Sequence, residues 1–141
     1  MTVPPEIFKA YDVRGLYGDQ IDGDTAEAIG RAFVRVLATL HGKPEGELRL
    51  GPGRDMRLTA PEMAARYRDG MVSEGAHVLD AGQVGTEMLY FLVGSQELDG
   101  GLMCTASPPG RAGRWSASAA RAPGPRRGRV PATGCAERAR P

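Results

Sequence analysis

The run Gly100-Gly101-Leu102-Met103-Cys104-Thr105-Ala106-Ser107 begins with a pair of glycines and is followed by Pro108-Pro109. A short apolar run that is bounded by glycine and proline is typical of a buried strand. Because Ser107 follows this strand directly, we expect its hydroxyl to lie on an exposed turn. The residues before the run have the pattern of a folded domain and the residues after it do not. We expect any functional residues to lie at this boundary.

Three helices and three more strands are predicted before this run. Two of the helices begin with a capping box, in which the cap and a glutamate three residues later satisfy free amide groups. The predicted helices cover residues 24–41, with Asp24 as the cap and Gly42 as the stop, residues 59–74, with Thr59 as the cap, and residues 86–97. The predicted strands cover residues 6–15, 47–50, 77–80 and 101–105.

Apolar residues recur at helical spacing in the first and third of these helices. The first has them on one side, at Ile29, Phe33, Val36, Leu37 and Leu40. The third has them on most sides, at Met88, Leu89, Phe91, Leu92 and Val93. We therefore expect the third helix to be well buried.

The alternation of strands and helices predicts a three-layer α/β/α domain with a mainly parallel, mixed sheet of four strands. In such sheets the functional groups collect beyond the carboxyl ends of the strands. Four segments lie at or after predicted strand ends: Asp12 with Arg14, the loop at residues 51–57, the turn at residues 82–86, and Ser107. We expect these segments to face one crevice.

The last 34 residues differ sharply in composition from the rest. Residues 108–141 contain eight arginines and one acidic residue, whereas residues 1–107 carry a net charge of −6. Of these 34 residues, 27 are Ala, Arg, Gly or Pro, and Trp115 and Val130 are the only sizeable apolar side chains. So little apolar surface does not offset the entropy of ordering a chain. We therefore predict a folded domain over residues 1–107 and a disordered tail without secondary structure over residues 108–141.

The composition also bears on the class of protein. The two cysteines, Cys104 and Cys135, give neither a disulfide framework nor a metal-binding spacing. The amino terminus has no signal-peptide pattern, and no apolar stretch reaches the roughly 20 residues that span a bilayer. We expect a soluble cytoplasmic protein with no membrane partner.

A serine hydroxyl at a strand end, near arginines, is suited to accept a phosphoryl group. Guanidinium groups bind phosphate oxygens through forked hydrogen bonds, and loop amides add to them. Ser107 is the candidate acceptor, and Arg54 and Arg57 are candidate phosphate-binding residues in their loop.

Each of these residues also has an ordinary structural interpretation. A lone serine in a turn is most often only a turn residue. Tyr11 is then a packing ring, Arg14 a surface charge, and the arginines near Asp55 partners in a weak local ion pair. The residues by themselves do not decide between the two interpretations.

Four segments in this order resemble the first domain of the α-D-phosphohexomutases, the phosphomannomutase and phosphoglucomutase group. They are Phe8-Lys9-Ala10-Tyr11-Asp12-Val13-Arg14-Gly15, Gly53-Arg54-Asp55-Met56-Arg57, Gly85-Thr86, and Gly101-Leu102-Met103-Cys104-Thr105-Ala106-Ser107. The resemblance covers residues 6–107. It implies an enzyme of four α/β domains around a deep cleft, which interconverts hexose 6-phosphate and hexose 1-phosphate through a bisphosphorylated sugar.

The resemblance also implies roles for individual residues. Ser107 matches the family's phosphoserine, and Tyr11 and Arg14 match residues that line the cleft beside it. A Mg²⁺ ion would bind the phosphate on Ser107 together with an aspartate-rich loop of the second domain. Hexose phosphates would be the partners of the parent enzyme.

The resemblance stops abruptly after Ser107. The family continues with His-Asn-Pro and later a cleft lysine, whereas this chain continues Pro108-Pro109-Gly110-Arg111 and has no lysine in the tail. Ala, Arg, Gly and Pro are the residues that GC-rich codons specify in a wrong reading frame. We hypothesise a frame shift just after codon 107, which leaves a domain I fragment that is inactive alone. The alternative is a small, non-enzymatic binding module whose basic tail contacts nucleic acid or acidic surfaces.

Overall fold

A computed structural model describes residues 3–10, 12–56, 60–106 and 114–121 of the 141-residue chain. Within these ranges lie three α-helices and five strands. In chain order they are β1 (Asp12–Leu16), α1 (Gly23–His41), β2 (Arg49–Arg54), α2 (Ala60–Ser73), β3 (His77–Val78), α3 (Thr86–Ser95), β4 (Gly100–Ala106) and β5 (Arg114–Arg121). Short 3-10 helices at Pro5–Ile7 and Glu45–Glu47 precede β1 and β2.

The five strands form one mixed sheet in the order β1-β5-β4-β2-β3. β2 runs parallel to both β3 and β4, and β5 runs antiparallel to both β4 and β1. Helices α1 and α2 pack on one face of the sheet, and α3 packs on the other. The predicted three-layer α/β/α class with a mixed sheet is confirmed.

The fifth strand differs from the sequence prediction. Arg114–Arg121 lies in the tail, for which the composition predicts no secondary structure, and it is inserted between β1 and β4. The prediction counted apolar side chains, whereas this strand gains backbone hydrogen bonds to a neighbour on each side. The other tail residues, 108–113 and 122–141, lie outside the described part, so their assignment as a disordered, out-of-frame segment stays a prediction.

The two faces of the sheet can be told apart from the packing of β2 and β4. Leu102 and Cys104 belong to the hydrophobic cluster that includes the buried residues of α1 and α2. On the opposite face, a Cβ at Gly53 would lie 3.5 Å from Leu89 Cδ1 of α3, and one at Gly101 would lie 3.3 Å from it. Because side chains alternate along a strand, this assigns the positions of β2 and of β4 up to Thr105 to one face or the other, and the backbone register carries the assignment across to β1.

Helices α1 and α2 approach each other most closely at two glycines. A Cβ on Gly30 would overlap the carbonyl oxygen of Tyr67, and a Cβ on Gly70 would overlap that of Glu27. The two helix backbones therefore touch there, which brings the side chains around them into one core with the sheet.

The start of α1 corrects one prediction. The backbone N–H of Thr25 donates to Asp22 Oδ1 at 2.7 Å, so Asp22 and not Asp24 caps the helix. Asp24 instead accepts from Arg66 at 2.7 Å. Both aspartates suit a helix cap. The local sequence does not show that Asp24 pairs with Arg66 of α2. The predicted stop is confirmed, because Gly42 ends α1 in the left-handed region at φ 62°.

The predicted first strand, residues 6–15, is wrong in its first half. Pro5–Ile7 forms a 3-10 helix, and the strand begins only at Asp12. The fixed φ of proline favours such a turn over an extended start. The third strand is also shorter than predicted and covers His77–Val78.

The predicted loop at residues 51–57 is in large part a strand. β2 runs to Arg54 and pairs with β4 from Leu50 to Arg54. On its other side the carbonyl of Pro52 accepts from the N–H of Ala81 at 2.8 Å. Pairing on both sides overrides the turn propensity of the Gly-Pro-Gly sequence.

Helix α3 is less buried than its composition predicts. Leu89 and Val93 are buried against the sheet, but Met88, Tyr90 and Phe91 are exposed. The apolar pattern gave no sign of this difference, because it does not show how many elements surround a helix. Within the described part of the chain, α3 is the one helix on its face of the sheet.

Candidate functional site

The carboxyl ends of β1, β2 and β4 lie at one edge of the sheet, because these strands run in the same direction. Ser116 of β5 pairs with Arg14 on one side and with Thr105 on the other. With strands about 4.8 Å apart, the backbones of Arg14 and Thr105 are about 10 Å apart. β4 ends at Ala106, one residue beyond the level of Arg14.

Arg14 is oriented by a neighbour on its own strand. Its Nε donates to Asp12 Oδ2 at 2.7 Å, and 58% of the Arg14 side chain is exposed against 13% of Asp12. The pair engages one of the five N–H donors of the guanidinium group. Arg14 is thus held in one orientation while most of its side chain faces solvent, as binding of an external phosphate requires.

A cavity of about 560 Å³ lies beside Arg14 and is lined by Glu6, Lys9, Arg14, Gly15, Leu16 and Gln20. This volume is within the range of small-molecule sites. The N–H of Lys9 donates to the carbonyl of Asp12 at 2.8 Å, and Gln20 Oε1 accepts from the N–H of Leu16 at 3.0 Å. Sequence reasoning did not single out Lys9, although it lies inside the Phe8 to Gly15 motif.

Arg54 lies at the end of β2 but on a different face from Arg14. It is in register with Cys104, which packs toward α1 and α2, whereas Arg14 is level with Thr105, one residue further along β4. The strand order also separates β1 from β2 by three spacings, about 14 Å. The strand ends share one edge, as predicted, but the two arginines do not start from one face of the sheet.

Backbone hydrogen bonds fix the segment around Arg54. Its N–H donates to the carbonyl of Gly82 at 3.0 Å, and its carbonyl accepts from Val84 at 2.9 Å. The N–H of Asp55 donates to the carbonyl of Cys104 at 3.0 Å. These bonds tie the predicted turn at residues 82–86 to β2, and β2 to the strand that leads to Ser107.

Two buried side chains near this edge, Cys104 and Tyr67, are neutral. Burial raises the pKa of the Cys104 thiol, and the negative charge of Asp55 raises it further. Burial also raises the pKa of the Tyr67 hydroxyl. A thiol in this state is not a nucleophile at neutral pH, so Cys104 is a packing residue.

Three of the predicted site residues, Ser107, Tyr11 and Arg57, lie outside the described residues, and their roles stay predictions. The described residues contain no group of three or more His, Cys, Asp or Glu that could hold a metal ion. Among the helices that the structure describes, none is long and apolar enough to cross a membrane.

A family model described as phosphoglucomutase/phosphomannomutase, alpha/beta/alpha domain I, matches residues 5–112. The chain belongs to this family. The sequence resemblance is therefore confirmed, and the three-layer fold is the one that the description of this domain states.

Individual phosphohexomutases show the same relationship. The chain is 39% identical over 110 residues to a phosphomannomutase/phosphoglucomutase of Pseudomonas aeruginosa. This match covers 77% of this chain and 23% of the relative. It is also 35% identical over 100 residues to a phosphomannomutase of Vibrio cholerae, and this match covers 71% of this chain and 21% of the relative. A crystal structure of a phosphoglucomutase/phosphomannomutase family protein from Burkholderia thailandensis superposes with a TM-score of 0.70 and 30% identity over 83% of this chain and 26% of that one. The chain thus spans about a quarter or less of each of these three phosphohexomutases.

Proposed function

We propose that this chain is the phosphoacceptor part of a hexose-phosphate mutase, in which Ser107 carries the phosphoryl group that is exchanged with the sugar. The observation that supports this most directly is the register of the sheet. It brings the strand that ends before Ser107 level with the oriented guanidinium group of Arg14. The cavity beside Arg14 is large enough for a hexose phosphate.

In the proposed step the Ser107 Oγ forms a bond to phosphorus and the bond from phosphorus to the sugar oxygen breaks. The serine proton is transferred to the departing sugar oxygen, and the reverse step returns a phosphoryl group to the sugar. Negative charge spreads over the phosphoryl oxygens during transfer, and Arg14 stabilises it. Tyr11 is proposed to line the same cleft, and Arg57 is a weaker candidate for binding phosphate.

Magnesium is the cofactor that the family resemblance implies. The described residues do not fit a complete magnesium site, because they contain no cluster of three candidate ligands. We propose that the phosphate on Ser107 supplies one ligand and that the others lie outside this chain. The same reasoning predicts no mutase turnover by the 141-residue chain alone.

The change of composition after Ser107 supports a further part of the proposal, that the coding sequence leaves the family's reading frame after codon 107. Sequencing the native messenger through codons 100–141 tests it. A one-base shift that restores His-Asn-Pro is the expected result, and a functional gene with this tail in frame would contradict it.

The alternative, a binding module that acts through its basic tail, finds less support. Two of the eight tail arginines, Arg114 and Arg121, are the end residues of β5, so they belong to the sheet. The alternative predicts salt-dependent nucleic-acid binding that disappears when residues 122–141 are removed.

The decisive experiment uses a chimera of residues 1–107 of this chain and the part of the Pseudomonas aeruginosa relative that follows its matched segment. We expect the chimera to interconvert glucose 1-phosphate and glucose 6-phosphate, and Ser107→Ala to abolish the activity. Ser95→Ala, at an exposed serine of α3, is the matched control and should leave it unchanged. A chimera that is folded but inactive, or an active Ser107→Ala variant, would overturn the proposal.

A further inference from the structure

The cavity beside Arg14 has two further charged side chains in its wall. Glu6 and Lys9 line it from the segment that precedes β1, and both are exposed. Within the described part of the chain, no ion pair or side-chain hydrogen bond involves either of them. The other lysine of the chain, Lys43, pairs with Asp99 at 2.6 Å. The wall of this cavity thus holds a cation and an anion that these residues leave available to a ligand.

The backbone that carries the two charges is anchored. Ile7, which lies between them in the sequence, is fully buried in the core. The N–H of Lys9 donates to the carbonyl of Asp12 at 2.8 Å, which ties the segment to the start of β1. The backbone positions of Glu6 and Lys9 are therefore fixed relative to Arg14, and such preorganisation lowers the entropy cost of binding a ligand between them.

The charges in the wall indicate the chemistry of the ligand. Arg14 is paired with Asp12, and the charge of Glu6 offsets that of Lys9, so these four side chains together carry no net charge. A phosphate that binds Lys9 and Arg14 is also repelled by Glu6. Hydroxyl groups on the same ligand change this balance, because a carboxylate accepts hydrogen bonds from hydroxyls. The wall therefore fits a sugar phosphate better than phosphate alone.

We propose that Glu6 and Lys9 form a subsite that recognises the two halves of a hexose phosphate. Lys9, together with Arg14, binds the phosphate, and Glu6 accepts hydrogen bonds from the sugar hydroxyls. Gln20 does not take the place of Glu6, because its Oε1 already accepts from the N–H of Leu16 at 3.0 Å. This inference rests on the proposed function and deepens it, since it names the residues of this chain that distinguish the substrate from phosphate.

The first experiment titrates the 141-residue chain with glucose 1-phosphate and with inorganic phosphate, and follows the amide resonances of residues 6–20. The parent chain should bind glucose 1-phosphate at least about tenfold more tightly than phosphate, the usual effect of a hydrogen bond to a charged group. Lys9→Met should weaken the binding of both ligands at least about tenfold, for the same reason. Lys9→Arg, which keeps the charge, should restore most of this loss.

Glu6→Gln should have a different effect, because it removes the charge and keeps the shape. We expect the preference for glucose 1-phosphate over phosphate to fall to within about threefold, chiefly because phosphate binds more tightly once the repulsion is removed. A loss of structure would weaken both ligands and could not produce this change of ratio. A preference that is the same in the parent and in Glu6→Gln would overturn the proposal.

Matched controls lie at the opposite edge of the sheet. Lys43→Met and Glu47→Gln make the same changes of charge at residues that precede β2. Both should leave the two dissociation constants within about twofold of the parent, because distant sites seldom couple. Circular dichroism of each variant verifies that it is folded. If Lys43→Met weakens binding as much as Lys9→Met does, the effect is one of net charge and the subsite is rejected.

The second experiment measures the kinetics of the chimera described above. Lys9→Met should raise KM for glucose 1-phosphate at least about tenfold and leave kcat within about threefold, because it removes binding that substrate and transition state share. A smaller fraction of folded enzyme would instead lower kcat and leave KM unchanged. That result for Lys9→Met would contradict the inference.

The two proposals can fail separately. Ser107→Ala in the 141-residue chain should bind glucose 1-phosphate as the parent does, because the subsite does not include the acceptor hydroxyl. A chain that binds through Glu6 and Lys9, together with a folded chimera that has no turnover, would retain the subsite and reject the phosphoacceptor role of Ser107. An active chimera whose KM is unchanged by Lys9→Met would retain the function and reject the subsite.

Discussion

Arg14 and Thr105 lie level with each other in the sheet, each paired with Ser116 of the strand between them. This relationship connects the phosphate-binding candidate on β1 to the strand that leads to Ser107. It depends on β5, which lies between β1 and β4 and pairs with both of them. The position of Arg14 relative to the predicted acceptor is therefore a property of the whole sheet.

The first prediction concerns Arg14. In the chimera, Arg14→Met should lower kcat by about 10²–10³, the usual cost of removing one donor that stabilises transition-state charge. The exposed pair with Asp12 contributes little to folding, so the free energy of unfolding should fall by less than about 1 kcal/mol. Steady-state kinetics and urea denaturation measure the two effects. Arg31→Met, at a half-buried arginine of α1 that is ion-paired with Glu27, is the control, and equal kinetic losses in both variants would reject the role of Arg14.

A second prediction concerns a buried carboxylate at the opposite edge of the sheet. Asp99 accepts from Lys43 Nζ at 2.6 Å and from the backbone N–H of Arg49 at 2.9 Å. Burial alone would raise the pKa of Asp99, but the Lys43 hydrogen bond, the Arg49 N–H and the positive charge of Lys43 outweigh it and lower the pKa. The carboxylate thus stabilises the fold above its unfolded pKa, and this stabilisation is lost as the pH falls through the lowered folded pKa.

Asp99→Asn should therefore lower the free energy of unfolding by about 1–3 kcal/mol at pH 7. The difference from the parent chain should shrink as the pH falls below the ordinary range of aspartate, because both proteins are then uncharged at this position. Urea denaturation at a series of pH values measures it. A difference that is constant with pH would show that the charge of Asp99 has no role in stability.

A third prediction concerns the contact between α1 and α2. Gly30→Ala places a Cβ on the carbonyl oxygen of Tyr67, and both groups belong to packed backbone that cannot move away easily. We expect a loss of about 1–3 kcal/mol in the free energy of unfolding, as for other overpacked cores. Gly94→Ala is the matched control, because it lies in α3 with no atom within 4 Å of the new Cβ. The control should be neutral or stabilise by up to about 1 kcal/mol. Equal effects of the two substitutions would contradict the packing argument.

The fold class could be predicted from sequence because local periodicity reports on it directly. The run that forms β4, the helix stop at Gly42 and the strand and helix alternation all depend on nearby residues. The exposed side of α3 and the extension of β2 to Arg54 could not be predicted, since both depend on which elements lie alongside. The helix cap at Asp22 was missed because a second aspartate two residues later fits the same local rule.

The candidate site was predicted only in part, for the same reason. Local motifs indicated Arg14 and, more weakly, Arg54, but the sheet register places them on opposite faces. Lys9 lines the cavity beside Arg14 and was not selected, because a lone lysine in a short motif carries no spacing signal. Tertiary pairing, and not residue type, decides which of these side chains meet.

The last prediction concerns β5, for which the sequence indicated no structure. In the described part of the chain β1 pairs with β5 and with no other strand of the sheet, so removal of β5 leaves both β1 and the edge of β4 without partners. A chain truncated after residue 107 should therefore lose cooperative thermal unfolding or aggregate, because unpaired strand edges are costly and associate readily.

Truncation after residue 121 keeps β5 and removes only the last 20 residues, so it should melt as the full chain does. Within that shorter chain, Ala119→Pro, opposite Leu102, should destabilise the sheet because proline cannot donate to the ladder. Circular dichroism and sedimentation of the three proteins measure these effects. If residues 1–107 alone unfold cooperatively at the midpoint of the full chain, β5 does not contribute to stability. The domain then ends at Ser107, as the composition of the chain predicts.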